Sequence, residues 1–180
     1  MSCHLTMVLD KHGRCEFCDP TRFETNRLAK QTALMEYLDR RGLRGNSTDI
    51  VIDKGTCGRE RPDRIFDFED KIVILECDEH QHRDRQCLCE QTRMVNITQS
   101  YGGIPVYFIR WNPDNYTAPG SGLPDPVPKR HKLVADFLRD IRDGSVPLPH
   151  ALSAVFYMYY DGWCGMSSGE WISLLAFDTT

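Results

Sequence analysis

The stretch ILECDEHQH, residues 74 to 82, leaves an apolar run and enters a cluster of acids and imidazoles: Glu76, Asp78, His80 and His82. Alternate side chains of an extended chain share a face, so continued extension turns all four to one side. The preceding KIVIL is apolar on both faces, as in a central strand, and the acids mark where that strand leaves the core. In open α/β sheets that edge is where ligands bind. Upstream, RPDRIFDFEDKIVILE reads as a hairpin turning at Glu69-Asp70. With Phe68 opposite Lys71, counting outward sets Asp63 opposite Glu76. Directly opposed residues have Cβ atoms roughly 4.5 to 5.5 Å apart, and like charges there repel unless a cation lies between them. A hard divalent ion such as Mg2+ supplies that charge and prefers carboxylate and water oxygens. The alternative is a set of solvated strand-end acids, paired with Arg83 and Arg85 or with water.

A second chemistry is suggested by sulfur. Cys15-x-x-Cys18 lies close to Cys3, His4 and His12, a composition suited to a tetrahedral Zn2+ site. Cys3, Cys15 and Cys18 are the expected ligands, with His4, His12 or Cys57 as the fourth. Such a zinc would be structural, closing a knuckle with too few apolar residues to fold unaided. Cys87 and Cys89, beside His80 and Cys57, offer an alternative set. Cys77 alternates onto the apolar side of its strand, and it and Cys164 read as core. FIRWNPD ends another strand with Arg110 and Asn112, which a parallel neighbour would deliver to the acidic rim for contact with phosphate or a stacked base. Trp111 reads equally well as a core aromatic.

These residues need elements to position them. Thr21 is placed to cap a helix through RFETNRLAKQTALMEYLDRRGL, where Leu28, Ala33, Leu34, Tyr37 and Leu38 recur at helical spacing and Gly42 stops the run. Strands are expected at 49–55, 64–68, 71–76 and 103–111. The helix-like segment 88–100 between the last two gives the strand, helix, strand order of an α/β sheet. The Pro- and Gly-rich loop after Tyr116 leads into KRHKLVADFLRDIRDG, an amphipathic helix ending at Gly144. SAVFYMYYDGW suggests a further strand, and EWISLLAF is ambiguous.

The chain has 180 residues, 41% of them hydrophobic and 27% charged, enough to bury one core and unlike a disordered composition. It has no long apolar run and no secretory signal, so an intracellular protein, cytoplasmic or nuclear and without a membrane partner, is expected. Eight cysteines without a signal point to ligation or burial rather than disulfides. A net charge of −4 weighs against an extended nucleic-acid footprint, although arginines 59, 61, 64, 83, 85 and 93 cluster around the acids.

Together, ERPDRIFDF, ILECDEHQH, CLCEQTRMVNI and PVYFIRWNPDNY resemble the restriction-endonuclease-like superfamily. The likeness is to the branch of the very-short-patch mismatch-repair endonuclease and its homing-endonuclease relatives, and to endonuclease-like proteins of large DNA viruses, algae and protists. It covers roughly residues 13 to 116. The resemblance implies an α/β fold with a central mixed sheet flanked by helices and DNA as partner; with the knuckle read from the cysteines at 1–20, the nuclease domain is expected over 21–180. It implies that Asp63 and Glu76 hold the catalytic Mg2+ or Mn2+, and that Asp78 and His82 stand at the branch's D-x-x-x-H. Glu90 and Arg93 match an acid and an arginine on the following helix, on one face of it. Where much of the superfamily has a lysine two residues after the glutamate, this chain has Asp78, which leaves His82 as the general base to expect. Arg93 suits the scissile phosphate because a guanidinium meets two oxygens at once, or else pairs with Glu90. Arg61, Arg110 and Asn112 are the expected nucleic-acid contacts. Non-catalytic nucleic-acid binding and RNA cleavage are the alternatives.

Overall fold

The computed structural model describes residues 20–45, 61–82, 87–120 and 122–176, with only the backbone at 20–28, 80, 82, 87–89, 168 and 176. Cys3, Cys15, Cys18 and the rest of the expected knuckle up to residue 19, the expected strand at 49–55, Cys57, Arg83 and Arg85 lie outside the described residues, as do the side chains of His80, His82, Cys87 and Cys89.

Among the described residues, five strands form one mixed sheet in the order of the chain: β1 (Arg64–Asp67), β2 (Ile72–Cys77), β3 (Val106–Trp111), β4 (Ala151–Met158) and β5 (Trp171–Ala176). The outer pairs β1–β2 and β4–β5 are antiparallel; β2, β3 and β4 run parallel. The β1–β2 hairpin turns at Glu69 and Asp70 as expected, with Glu69 at φ 69° and its N–H bonded to the Asp67 carboxylate at 2.9 Å. EWISLLAF resolves as an edge strand.

Helix α1 (Pro20–Arg40) already contains Thr21, so Thr21 is not its cap. Helices α2 (Cys87–Ser100) and α3 (Val127–Arg142) cross over between the parallel strands. The start of α3 is set by Pro126 and Pro128, whose fixed φ suits a first turn, and its end by Asp143 and by Gly144 at φ 71°.

Every residue of β2 and β3 is buried, as a sheet covered on both faces requires. One face carries Val73, Leu75, Tyr107, Ile109 and Phe156 against Leu34 and Leu38 of α1 and Val134 and Leu138 of α3. The other carries Ile72, Ile74, Val106, Phe108 and Val155 against Met94 and Ile97 of α2. The two crossovers step the same way across the sheet but pass over opposite faces, so they have opposite hands, and one departs from the right-handed preference. For function the main consequence is that Cys77, Trp111 and Met158 end three parallel strands at one edge. No described helix is long and apolar enough to cross a membrane.

Candidate active site at the carboxyl edge of the sheet

The register of β1 on β2 pairs Arg64 with Leu75, so the next pair outward is Asp63 and Glu76. Asp63 lies in a bend after the buried Pro62, and its Oδ2 accepts the Cys77 N–H at 2.7 Å. That bond fixes the Asp63 carboxylate to the end of β2. Glu76 is only 4% exposed, and its Oε1 accepts a hydrogen bond of 2.8 Å from Nη2 of Arg93, which also donates to the Arg61 carbonyl at 3.1 Å. Burial raises the Glu76 pKa most; Arg93 opposes the rise, and the negative charges of Asp63 and Asp78 add to it, leaving a value of about 8. Glu76 and Asp63 therefore share an environment that disfavours two ionised carboxylates.

Asp78 faces the interior and is fully buried. Its backbone N–H bonds to the Trp111 carbonyl at 2.8 Å, tying the end of β2 to the end of β3. Its Oδ2 accepts from Nε of Arg110 at 2.5 Å and from the hydroxyl of Tyr160. Arg110 reaches the other way to Glu90 of α2, 2.7 Å from Nη2 to Oε2. Burial would lower the Arg110 pKa, but the bond and charge of Asp78, with Tyr160 and Glu90, raise it, so the guanidinium stays charged. Burial and then the Asp78 charge raise the Tyr160 pKa, so the phenol keeps its proton and donates.

Several expected positions fall elsewhere. Extension stops at Cys77, and Glu79–His82 forms a 3-10 turn with Gln81 at φ 55°, so the two-residue alternation that was to align His80 and His82 with Glu76 does not reach them. Arg110 and Asn112, expected at a nucleic-acid surface, are 3% and 0% exposed. Arg110 is engaged by Asp78 and Glu90, and Asn112 Nδ2 donates to the Tyr159 carbonyl at 2.8 Å while its Oδ1 accepts from Asp114 N at 2.9 Å. Both hold the sheet edge together instead of presenting themselves to a ligand. Arg61 is exposed beside the acids. Arg93 pairs with Glu76, while Glu90 binds Arg110, so the neighbours on α2 serve different strands. Trp111 and Cys77 are core, whereas Cys164, also read as core, lies exposed in the loop before β5.

Tyr160 was not singled out in the sequence. The available signal was the Asp161-Gly162 turn at the end of a strand parallel to the one bearing Arg110, which returns the chain at the acidic edge. Tyr159 just before it sits at φ 63°, an uncommon conformation for a bulky residue, held by the Asn112 bond to its carbonyl.

Among the described residues, Asp63, Glu76, Asp78 and Glu90 bring four carboxylates against the guanidiniums of Arg93 and Arg110. With Glu76 ionised the formal excess is two negative charges, and with Glu76 protonated it is one. No three His, Cys, Asp or Glu side chains among the described residues form a ready metal cage. Two hard oxygen donors with surplus negative charge nevertheless fit an ion such as Mg2+, which takes one or two carboxylates and completes its shell with water and phosphate oxygens. No family model, curated protein or solved structure matches the chain.

Proposed function

We propose that the protein is a metal-dependent endonuclease of restriction-endonuclease-like type that hydrolyses DNA phosphodiester bonds. The observation that carries this reading is the meeting of Asp63 with the buried Glu76, at the carboxyl ends of parallel strands, in a surplus of negative charge. Asp63 and Glu76 would hold Mg2+ or Mn2+. When bound, the ion supplies Lewis acidity toward the phosphoryl oxygen, a lowered pKa for water and charge for the leaving oxygen.

The chain's own groups do the rest. The Cys77 N–H holds the Asp63 carboxylate in place, so this ligand is preorganised by backbone. Arg93 donates to Glu76 at 2.8 Å, and from this position beside the two acids its guanidinium would orient the scissile phosphate. Asp78, Arg110, Glu90 and Tyr160 act as positioning residues: they lock the ends of β2, β3 and β4 and the start of α2 to one another. His82, the last residue of the 3-10 turn Glu79–His82, is the proposed general base. A structural Zn2+ on Cys3, Cys15 and Cys18 belongs to the same reading.

The test is cleavage of a panel of duplex, mismatched, branched and single-stranded DNA, with RNA counterparts, in Mg2+ or Mn2+. Cleavage of at least one substrate is expected, falling by 100-fold or more in Asp63→Ala and Glu76→Ala. No cleavage by folded protein, or equal rates in both variants, would overturn the reading; binding without cleavage would favour a non-catalytic module.

A further inference from the structure

Beside the acidic edge, at the junction of β4 and β5, lies a cleft of about 310 Å³ walled by Tyr157, Tyr160, Asp161, Gly162, Glu170 and Ile172. It continues the row of side chains that holds the candidate metal ligands. Glu76 pairs with Arg110, and Arg110 with Tyr157; since Phe156 pairs with Trp171, the next position opposite Tyr157 is Glu170. Met94 and Ile97 of α2 cover this face over β2 and β3, whereas Ile172 is 52% exposed. The rings of Tyr157 and Tyr160 meet edge to face with centroids 5.0 Å apart. Tyr160 belongs to both places, since it lines the cleft while its hydroxyl binds Asp78. The Asp161 N–H is in turn bonded to Oε1 of Gln81 at 3.2 Å, which joins the cleft wall to the turn after β2.

From this geometry we infer that the cleft is a subsite for one unpaired nucleobase of the substrate strand, a base with an exocyclic amino group being preferred. The inference rests on the nuclease reading for its choice of polymer. The walls are aromatic and aliphatic, as a base face requires, and stacking tolerates any base. The charged lining is acidic, so a phosphate is repelled and the backbone is kept outside. A carboxylate such as that of Glu170 accepts hydrogen bonds from amino groups of cytosine, adenine or guanine, whereas the thymine edge lacks one. The volume suits a small ligand. A base inside a duplex cannot reach such a cleft without leaving its stack, so substrates whose base is already unpaired are favoured.

The experiment uses the full chain and oligonucleotides carrying one 2-aminopurine, single-stranded, mismatched or fully paired, in deoxy and ribo forms, with Ca2+ as the hard cation. Binding is expected to quench 2-aminopurine emission in the unpaired contexts, and to weaken about tenfold when that nucleotide is abasic. Ile172→Ala and Glu170→Ala, both surface changes, should each reduce the quench, with Tyr157→Leu as a stronger third variant. Absence of quench, or a quench unchanged in Ile172→Ala and Glu170→Ala, overturns the subsite whether or not the protein cleaves DNA. Quench that responds to these variants, in a protein that cuts nothing with Mg2+ or Mn2+, supports the subsite and rejects the nuclease reading instead.

Discussion

Glu76 is where sequence, burial and chemistry converge. Its ordinary pKa of 4.5 rises to about 8 in the fold, chiefly through desolvation and against the opposing pull of Arg93. Between those values the folded protein keeps a proton that the unfolded chain releases, so the group's contribution to stability is present below pH 4.5 and is lost as pH rises through 8. Without divalent ions, the stability of the protein should therefore fall with a slope of up to about 1.4 kcal/mol per pH unit in that window. Denaturant titrations from pH 5 to 8 should show this slope in wild type and a flatter profile in Glu76→Gln; identical profiles would remove Glu76 as its source. The Asp63–Glu76 pairing was legible because a tight hairpin lets register be counted across the turn. The partners of Asp78 were not, since β2 stops at Cys77 and its register with β3 is set across a helical crossover that no short count can follow.

At the scale of elements, hydrophobic patterning located β1 to β4 and the three α-helices among the described residues, because fully buried parallel strands read as short apolar runs and α3 repeats its apolar residues at helical spacing. The hand of the crossovers was not legible, since either face of β3 could accept α3 on pattern alone. Nor was the work of Asn112, which reads as a loop residue after Trp111. It joins two strand ends: its backbone N–H bonds to the Met158 carbonyl at 3.0 Å and its side chain to the Tyr159 carbonyl at 2.8 Å. Asn112→Ala leaves that second carbonyl unsatisfied in a buried place, at a cost of about 1 to 3 kcal/mol. Because Tyr160 follows directly, cleavage should fall with stability, and the near-ultraviolet signal of the aromatic cluster should change. A variant as stable as wild type would show that the Asn112 amide is not what holds the edge.

The whole molecule carries a net charge of −4, so the proposed binding of a polyanion would have to be local. Arg61 is exposed beside the acids and its carbonyl is held by Arg93, which makes it the described cation best placed to meet a phosphate outside the cluster. Arg61→Ala should weaken DNA binding across sequences and lower the slope of log K against log salt by about one. An unchanged slope would move the footprint elsewhere. On the proposed reading a divalent ion would join fold and substrate, supplying positive charge where four carboxylates meet two guanidiniums. The most direct measurement is calorimetric titration of Mn2+ into the full chain and into Asp63→Asn and Glu76→Gln. Saturation near one ion per chain at the acidic edge, with affinity at least tenfold weaker in each variant, is the predicted result; affinity unchanged in both variants would contradict it.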